Sequence, residues 1–478
     1  MRLLILMSFL AQVPLGLGLA QDPTPPAPAG DDRPDVLYLI VDDLGWHDVG
    51  FTGGGSHPTP RIDALASTST VFEHAYADAP NCAPTRASIL SGQATARHGV
   101  LTVGSSRRGK KELRRVEPVP NQRFLDEDVP TLADDLQKHG YRTVHVGKFH
   151  AGPDPLDYGF TDQVAGTSLG HPKSYRSPYR NPRLEDGPEG EYLTDRLVQE
   201  ATGFIESDDE RPLFLHMSFY SVHTPIQPRA DLFEASAARL PDQRVKDQKY
   251  DAMVAAVDAA VGRILDAFST RTRPLMIIFT SDNGGYGPLA DNGPLRGSKG
   301  MLYEGGIRVP LAIRWPGSIE AGRSSSPVLL RDLVPTILEV AGSEPAERIL
   351  DGRSLAGIRD GDVLEAVPLH WHFPVYLERD SSVTGPWRTT PVAACRLGRF
   401  KLMEFFETGD LELYDLASDP SEKRNLIEEF PSVAERLHSE MTSWRTKVGA
   451  GLPTPVPTEP IEQEPSRSST PSLPDQST

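Results

Sequence analysis

Two pairs of oxygen-bearing side chains stand far apart in the chain, Asp42-Asp43 and Asp282-Asn283. Together they supply hard ligands, which suit a divalent cation, calcium before magnesium, and not zinc. No Cys/His spacing of a zinc site accompanies them. A second set carries protons and positive charge: Lys148, His150 and His223. A cation flanked by ammonium and imidazole groups is equipped to bind an anionic ester and to move a proton on it. Taken singly, Asp-Asp and Asp-Asn-Gly read as turns, and a single His or Lys as an ordinary surface or hydrogen-bonded residue. The shared placement of all of them points to a site.

That placement follows from the elements around them. Asp42 and Asp43 follow the apolar run Val36 to Val41, and Lys148 and His150 follow Thr143 to Val146. His223 follows Leu213 to Phe219, and Asp282 and Asn283 follow Leu275 to Thr280. A fifth run spans Val309 to Arg314. These runs lack alternation, as strands buried on both faces do. Helical patterns fall between them, at Thr131 to His139, Tyr192 to Ile205, Tyr250 to Phe268 and Leu330 to Val340. Strands alternating with helices predict an α/β domain, a large mainly parallel sheet flanked by helices. In such sheets, ligands bind beyond the carboxyl ends of the strands. Four strands of this chain carry chemistry-bearing residues at that end.

The texture changes after residue 363. Arg399 to Phe406 and Leu411 to Leu416 read as adjacent antiparallel strands joined at Thr408-Gly409-Asp410, followed by a helix from Ser432 to Lys447. The expected organisation is a leader at 1–20, a flexible linker at 21–33, a catalytic domain at 34–363, a C-terminal α+β subdomain at 364–450 and a disordered Pro/Ser/Thr-rich tail at 451–478. The leader reads as a secretory signal, with basic Arg2, apolar Leu3 to Leu10 and small residues at Gly18-Leu19-Ala20. It predicts a secreted or periplasmic protein. No later segment is long enough to span a bilayer.

The 478 residues carry 49 Lys+Arg against 66 Asp+Glu, a net charge of −17. That balance argues against nucleic acid and anionic membranes as partners. It also requires any anionic substrate to be drawn in by local positive charge. Of the two cysteines, Cys395 sits in an apolar stretch and reads as a buried core residue, while Cys82 has different surroundings. No P-loop run and no Gly-x-Ser-x-Gly elbow occur.

Around Cys82 the sequence Asn81-Cys82-Ala83-Pro84-Thr85-Arg86-Ala87-Ser88-Ile89-Leu90-Ser91-Gly92 resembles the formylglycine-dependent, arylsulfatase-A-like type I sulfatases. Gly140-Tyr141-Arg142-Thr143 with Gly147-Lys148-Phe149-His150 is similar to the second motif of that family, although Phe149 stands where Trp is usual. Val41 to Gly45, His223-Thr224-Pro225, Ser281 to Gly284, Arg296 to Gly300 and Leu413 to Leu416 extend the resemblance over most of residues 34–448. It implies an alkaline-phosphatase-like fold and one calcium ion held by Asp42, Asp43, Asp282, Asn283 and modified Cys82. It implies oxidation of Cys82 to formylglycine by a formylglycine-generating maturation enzyme, with Pro84 and Arg86 in the recognised sequence. Arg86, Lys148, His150, His223 and Lys299 would surround the sulfate and the nucleophile.

The chemistry that this implies is coherent. A sulfate monoester repels anionic nucleophiles, and calcium, Lys148 and Lys299 would offset that repulsion. Hydrated formylglycine has two hydroxyls, one to attack sulfur and one to let the residue collapse back to the aldehyde. His223 or Lys299 would protonate the leaving oxygen, His150 would assist collapse, and Arg86 would anchor the modified side chain. The expected substrate is a sulfated carbohydrate or an aryl sulfate. Two other readings compete: a phosphate or phosphonate monoester hydrolase on the same scaffold, and a non-catalytic glycan-binding protein with unmodified Cys82.

Two further features stand outside these motifs. The basic cluster Arg107, Arg108, Lys110, Lys111, Arg114 and Arg115 reads either as a grip on further sulfates of a polyanionic glycan or as an exposed loop. His370, Trp371 and His372 read either as a sugar subsite or as strand packing.

Overall fold

The computed structural model describes residues 32–314, 321–356, 358 and 364–456. The leader, nearly all of the linker and the tail from residue 457 lie outside the described residues.

The expected apolar runs form the middle of an eight-stranded sheet among the described residues. Its strands are β1 (Asp35–Val41), β2 (Thr70–Phe72), β3 (Arg142–Gly147), β4 (Asp162–Val164), β5 (Leu213–Ser218), β6 (Leu275–Ser281), β7 (Leu311–Arg314) and β8 (Gly322–Ser324). Their order across the sheet is β8-β2-β7-β6-β1-β5-β3-β4. β1 pairs in parallel with β5 and β6, and β3 pairs in parallel with β5 and β4. β7 instead runs antiparallel to β6. Its apolar run records burial on both faces, which is the same for either direction. The link from β6 to β7, residues 282–310, carries only the four-residue helix Glu304–Ile307, so no crossover helix packs on the sheet between them.

Both faces of β1 are covered. Val36, Tyr38 and Ile40 enter one core, and Leu37, Leu39 and Val41 enter the other. Helices α1 (Cys82–Ser91), α2 (Leu132–Lys138) and α6 (Leu333–Ala341) lie on the first side. Helices α3 (Leu193–Ile205) and α5 (Val245–Phe268) lie on the second; α4 (Ala230–Arg239) packs against α5. The start of α2 is set locally: Thr131 and Asp134 form a reciprocal capping box.

Downstream, β9 (Leu369–Phe373), β10 (Val392–Leu397), β11 (Phe400–Phe405) and β12 (Leu411–Asp415) make a four-stranded antiparallel sheet. Period-two alternation gives it two buried faces. Ala393, Cys395, Leu402 and Leu413 pack under helix α7 (Pro431–Val448), with its Leu437 and Met441. Trp371, Phe373, Ala394 and Met403 pack with Tyr76, Leu101 and Ile307 from the main body. The helix expected at Ser432 to Lys447 and the strand pair joined at Gly409 are both present. Cys395 is fully buried and free, as is Cys82, so the two cysteines form no disulfide.

Candidate active site

The four central parallel strands β6, β1, β5 and β3 are adjacent, so the loops after them meet at one edge. Asp42 and Asp43 leave β1, Lys148 and His150 leave β3, His223 follows β5, and Asp282 and Asn283 leave β6. Asp43 and His150 have left-handed backbones, with φ of 62° and 55°. Such conformations are uncommon for residues with a Cβ and persist only where the surroundings hold them. Gly147 supports the turn after β3: a Cβ there would lie 1.9 Å from the Ser218 carbonyl oxygen.

Cys82 is the first residue of α1, whose amino end faces this edge. Its Sγ lies 3.3 Å from His150 Nδ1. The His150 ring fits because Gly170 stands against it; a Cβ at Gly170 would lie 2.6 Å from His150 Cε1. One turn along α1, Arg86 is buried and donates through Nε to Asp282 Oδ2 at 2.8 Å. Its Nη1 donates to the Lys148 carbonyl at 2.8 Å and to Ser218 Oγ at 2.5 Å. The side chain therefore ties the helix that carries Cys82 to three strand ends. Lys299 arrives on a separate loop. That loop is pinned by Lys299 N–H to the Gly285 carbonyl at 3.0 Å and by Gly300 N–H to the Pro80 carbonyl at 2.7 Å.

Two layers result. Asp43, Cys82, His150, His223 and Lys299 line a cavity of about 330 Å³. Asp42, Arg86, Lys148, Asp282 and Asn283 lie beneath it, fully or almost fully buried. Lys148, expected beside the sulfate, is turned to Asp42 Oδ2 at 2.6 Å. Lys299 donates to both oxygens of Asp43, at 2.6 and 2.8 Å, and Asn283 donates to Asp43 Oδ1 at 2.8 Å.

The electrostatics follow from this crowding. Burial pushes the Asp42 carboxyl well up, with Lys148 opposing and Asp282 and Asp43 adding to the rise. Burial would also raise Asp43, but Lys299, His223 and Lys148 outweigh it and hold that carboxyl low. Burial would lower Lys299, yet Asp43 and Cys82 raise it above the usual lysine range. Burial pushes the Cys82 thiol up, against the pull of Lys148 and Lys299. Burial, then Lys148 and Arg86, holds His150 well below the histidine range. Burial and Lys299 take His223 down to about 3, against the pull of Asp43. His223 Nδ1 lies 2.9 Å from the Thr224 carbonyl, which can only accept, so Nδ1 carries the proton.

The donor set fits a hard cation. Asp42 Oδ1 and Asn283 Oδ1 are buried without a hydrogen-bond partner, which is costly unless a ligand takes them up. Asp42, Cys82 and Asp282 each offer an atom, all within 4.8 Å of one another. Of the five expected ligands, Asp43 alone already has both side-chain oxygens on an ammonium group.

Several cavity residues escape a reading of the sequence: Val103, Gly170, His171, Tyr286, Leu377 and Arg388. His171 stacks on His223 with centroids 5.9 Å apart. None has a motif of its own. From the basic cluster only Arg108 lines the cavity; Arg107 pairs with Glu117, and Arg114 binds the Arg107 and Gly109 carbonyls. His370, Trp371 and His372 belong to β9, away from this cavity. Trp371 donates to the Ala77 carbonyl at 2.9 Å, His370 stacks on Trp444, and His372 meets the Gly451 carbonyl. Trp371 and His372 are thus packed in the strand, while His370, with Trp444, also lines a separate cavity.

Comparison with known proteins agrees with the geometry. Residues 34–343 match the sulfatase family, and residues 297–447 match the C-terminal region of N-sulphoglucosamine sulphohydrolase. A sulfatase of Formosa agariphila is 31% identical, covering 88% of this chain and 90% of its own. The N-acetylgalactosamine-6-sulfatase of Canis lupus familiaris is 30% identical over 75% of this chain and 70% of its own. The crystal structure of Ps i-CgsB in complex with k-i-k-neocarrahexaose superposes with a TM-score of 0.72 at 27% identity, covering 86% of this chain and 92% of that one. The phosphonate monoester hydrolase of Agrobacterium radiobacter shares the fold, at a TM-score of 0.63 and 23% identity, covering 90% and 100%.

Proposed function

The chain belongs to the sulfatase family and is a sulfuric ester hydrolase, and from that premise we propose that it is an exported enzyme acting on a sulfated carbohydrate through formylglycine at position 82 and one calcium ion. The observation that carries the proposal is the placing of Cys82, on the floor of the cavity against His150, beside buried oxygens of Asp42 and Asn283 that have no partner. Calcium, held by Asp42, Asp43, Asp282, Asn283 and the modified residue 82, would supply positive charge to the ester oxygens. Oxidation of Cys82 would supply a hydrated aldehyde in place of a buried thiol.

The chain's own groups account for the remaining needs. Lys299 holds its proton firmly and faces the cavity, where it neutralises charge on the sulfate and donates to the leaving oxygen. His223 stands beside it with Nδ1–H committed to the Thr224 carbonyl. Entry of an anion raises the proton affinity of its Nε2, which then serves the leaving oxygen as acid. His150 is neutral, with Nδ1 next to residue 82, and so is placed to take a proton from a hydroxyl there. Arg86 keeps the amino end of α1 and Asp282 in one frame. Burial of this lower layer excludes water from the ionic contacts and strengthens them.

Carbohydrate as substrate is supported by two relatives: the canine enzyme, named for N-acetylgalactosamine 6-sulfate, and the carrageenan-oligosaccharide complex. Export rests on the leader at residues 1–20. Among the described residues no helix is long and apolar enough to cross a membrane. The test is co-expression with a formylglycine-generating enzyme, a mass spectrum of the peptide containing residue 82, and assay of 4-nitrophenyl sulfate and 4-nitrophenyl phosphate with and without calcium. Formylglycine at residue 82 with calcium-dependent sulfate release in preference to phosphate is the expected result. Faster phosphate release, or full activity with an intact thiol, would overturn it.

A further inference from the structure

The cavity has positive groups beyond those that the ester chemistry uses. Arg108 and Arg388, 280 positions apart in sequence, both line it. One corner of the molecule brings them together. The short strands Leu377–Glu378 and Trp387–Thr389 pair as a hairpin, and an isolated bridge joins Arg107 to Tyr376 beside it. Gly109 abuts the Trp387 ring, where a Cβ would lie 2.2 Å from Cζ3. Gly300, next to Lys299, abuts Leu377 and Arg388 at 3.0 and 3.1 Å in the same sense. The hairpin thus forms a wall that begins at the catalytic lysine and ends at the basic loop.

Each arginine on this wall is oriented by one carboxylate and retains donors. Arg108 Nη2 donates to Glu378 Oε1 at 2.7 Å. Arg388 Nη1 lies 3.3 Å from Asp380 Oδ2 and 3.4 Å from the Lys299 carbonyl, while its Nε is buried without any acceptor. A guanidinium offers five N–H groups in a fixed fork that matches sulfate and carboxylate. Between the arginines, Leu377, Val103 and Tyr286 supply apolar and aromatic surface of the kind that covers a sugar ring. The whole protein carries −17, so only such local charge can hold a polyanion near the site.

Resting on the sulfatase reading, we infer that this wall is a second anion subsite, in which Arg108 and Arg388 bind a further sulfate or carboxylate of the same saccharide. The substrate is then a polyanionic glycan unit carrying at least two acidic groups, of which one is removed. Aryl or steryl sulfates, which have no second acidic group, fill only the floor of the cavity.

The test uses the mature enzyme turning over 4-nitrophenyl sulfate, with four competitors. These are N-acetylgalactosamine 6-sulfate, its 4,6- and 3,6-disulfates, and a disaccharide joining the 6-sulfate to a uronate. In the wild type, at least one dianion should inhibit about 10-fold or more tightly than the monosulfate, the value of one well-made charged hydrogen bond. The disulfate and uronate arms distinguish sulfate from carboxylate as the second group. In Arg388→Met and in the more exposed Arg108→Gln, that ratio should fall toward one, with Arg388→Lys recovering part of it. Melting curves of the variants verify folding. Equal inhibition by mono- and dianions in the wild type, or a ratio that both variants retain, overturns the inference. Failure of the wild type to release sulfate from any ester removes instead the reading on which it rests.

Discussion

Two clusters of buried charge in this protein end differently. Between the main body and the C-terminal sheet, Lys401 lies 3.0 Å from Glu304 Oε1 and 2.9 Å from Glu422 Oε1. Tyr76 donates to Glu304 Oε2 at 2.7 Å, and the Glu304 N–H donates to Glu422 Oε2 at 2.7 Å. Each of the four carboxylate oxygens there lies within 3.0 Å of a nitrogen or hydroxyl of the protein, Glu422 Oε1 through its ion pair with Lys401 alone. Beneath the cavity, Asp42 Oδ1 and Asn283 Oδ1 have none, although Arg86, Lys148 and Lys299 balance the three aspartates in charge. The first cluster closes on itself and joins two sheets. The second leaves Asp42 Oδ1 and Asn283 Oδ1 in the same buried layer with no donor. Burial and ion pairing are common to both clusters, so neither property by itself distinguishes them; the pair of donorless oxygens beneath a cavity does.

The sharpest way to break the comparison is at Cys82. Cys82→Ala should lower sulfate release by about 10⁴-fold or more while the melting temperature stays close to wild type, measured side by side. Retained turnover would take Cys82 out of the open cluster's chemistry. Lys401→Met should do the reverse. Leaving Glu304 and Glu422 buried without their cation should cost about 3–5 kcal/mol of stability, read by denaturant unfolding, while turnover of the folded enzyme persists. Calcium should then separate the clusters thermodynamically. At 100 times its Kd it should stabilise the wild type by about 2.7 kcal/mol and raise the melting temperature. Asp42→Asn should lose that response, whereas Lys401→Met should keep it.

Acid should reach two histidines of the main body before Glu304 of the closed cluster. Burial, opposed by a weaker pull, holds His98 and His145 down to about 3 from the usual 6.5, so both fold neutral. The unfolded chain binds more protons between those values, and stability falls as pH drops from 6.5 toward 3. Burial would raise Glu304, but Lys401, Arg396 and Arg308 hold it down to about 2 from 4.5. Its contribution is present above 4.5 and fades only as pH falls from there toward 2. Glu422 and Asp78, each raised by burial to about 7, bind protons in the folded state over the same range and oppose the two histidines. Melting temperature should therefore fall more steeply, or rise less, from pH 6.5 to 4.5 in the wild type than in His98→Gln; equal slopes would contradict it. The smallest effect belongs to Cys395→Ala. Loss of one buried sulfur under α7 should cost about 1 kcal/mol, with turnover unchanged; a large loss of activity would give that residue a role it lacks in this structure.

Much of this was readable in one dimension. Val36 to Val41 and Leu275 to Thr280 are apolar without interruption because both faces of those strands are covered, so their identity as central strands survives any change of context. The polar residues that follow them must emerge at the sheet edge, which places Asp42, His150, His223 and Asp282 together once parallel pairing is assumed. Cys82 and Lys299 are on loops and a helix, and resemblance of local motifs was needed to bring them in. Apolar runs, however, carry no direction, and the antiparallel course of β7 is not written in its run. Motif position does not say which partner a long side chain takes: Lys148 is buried on Asp42, while Lys299 faces the cavity. Arg388 and Leu377 had no signal, because their place depends on the packing of one hairpin against the loop of Arg108. The sequence by itself therefore determined the strands, the reactive residue types and the edge where they meet, since these follow from local periodicity and chain connectivity. Only the tertiary structure decided which charges are closed, which oxygens are left open and which side chains form the wall beside them, since those depend on contacts between segments that the chain order does not record.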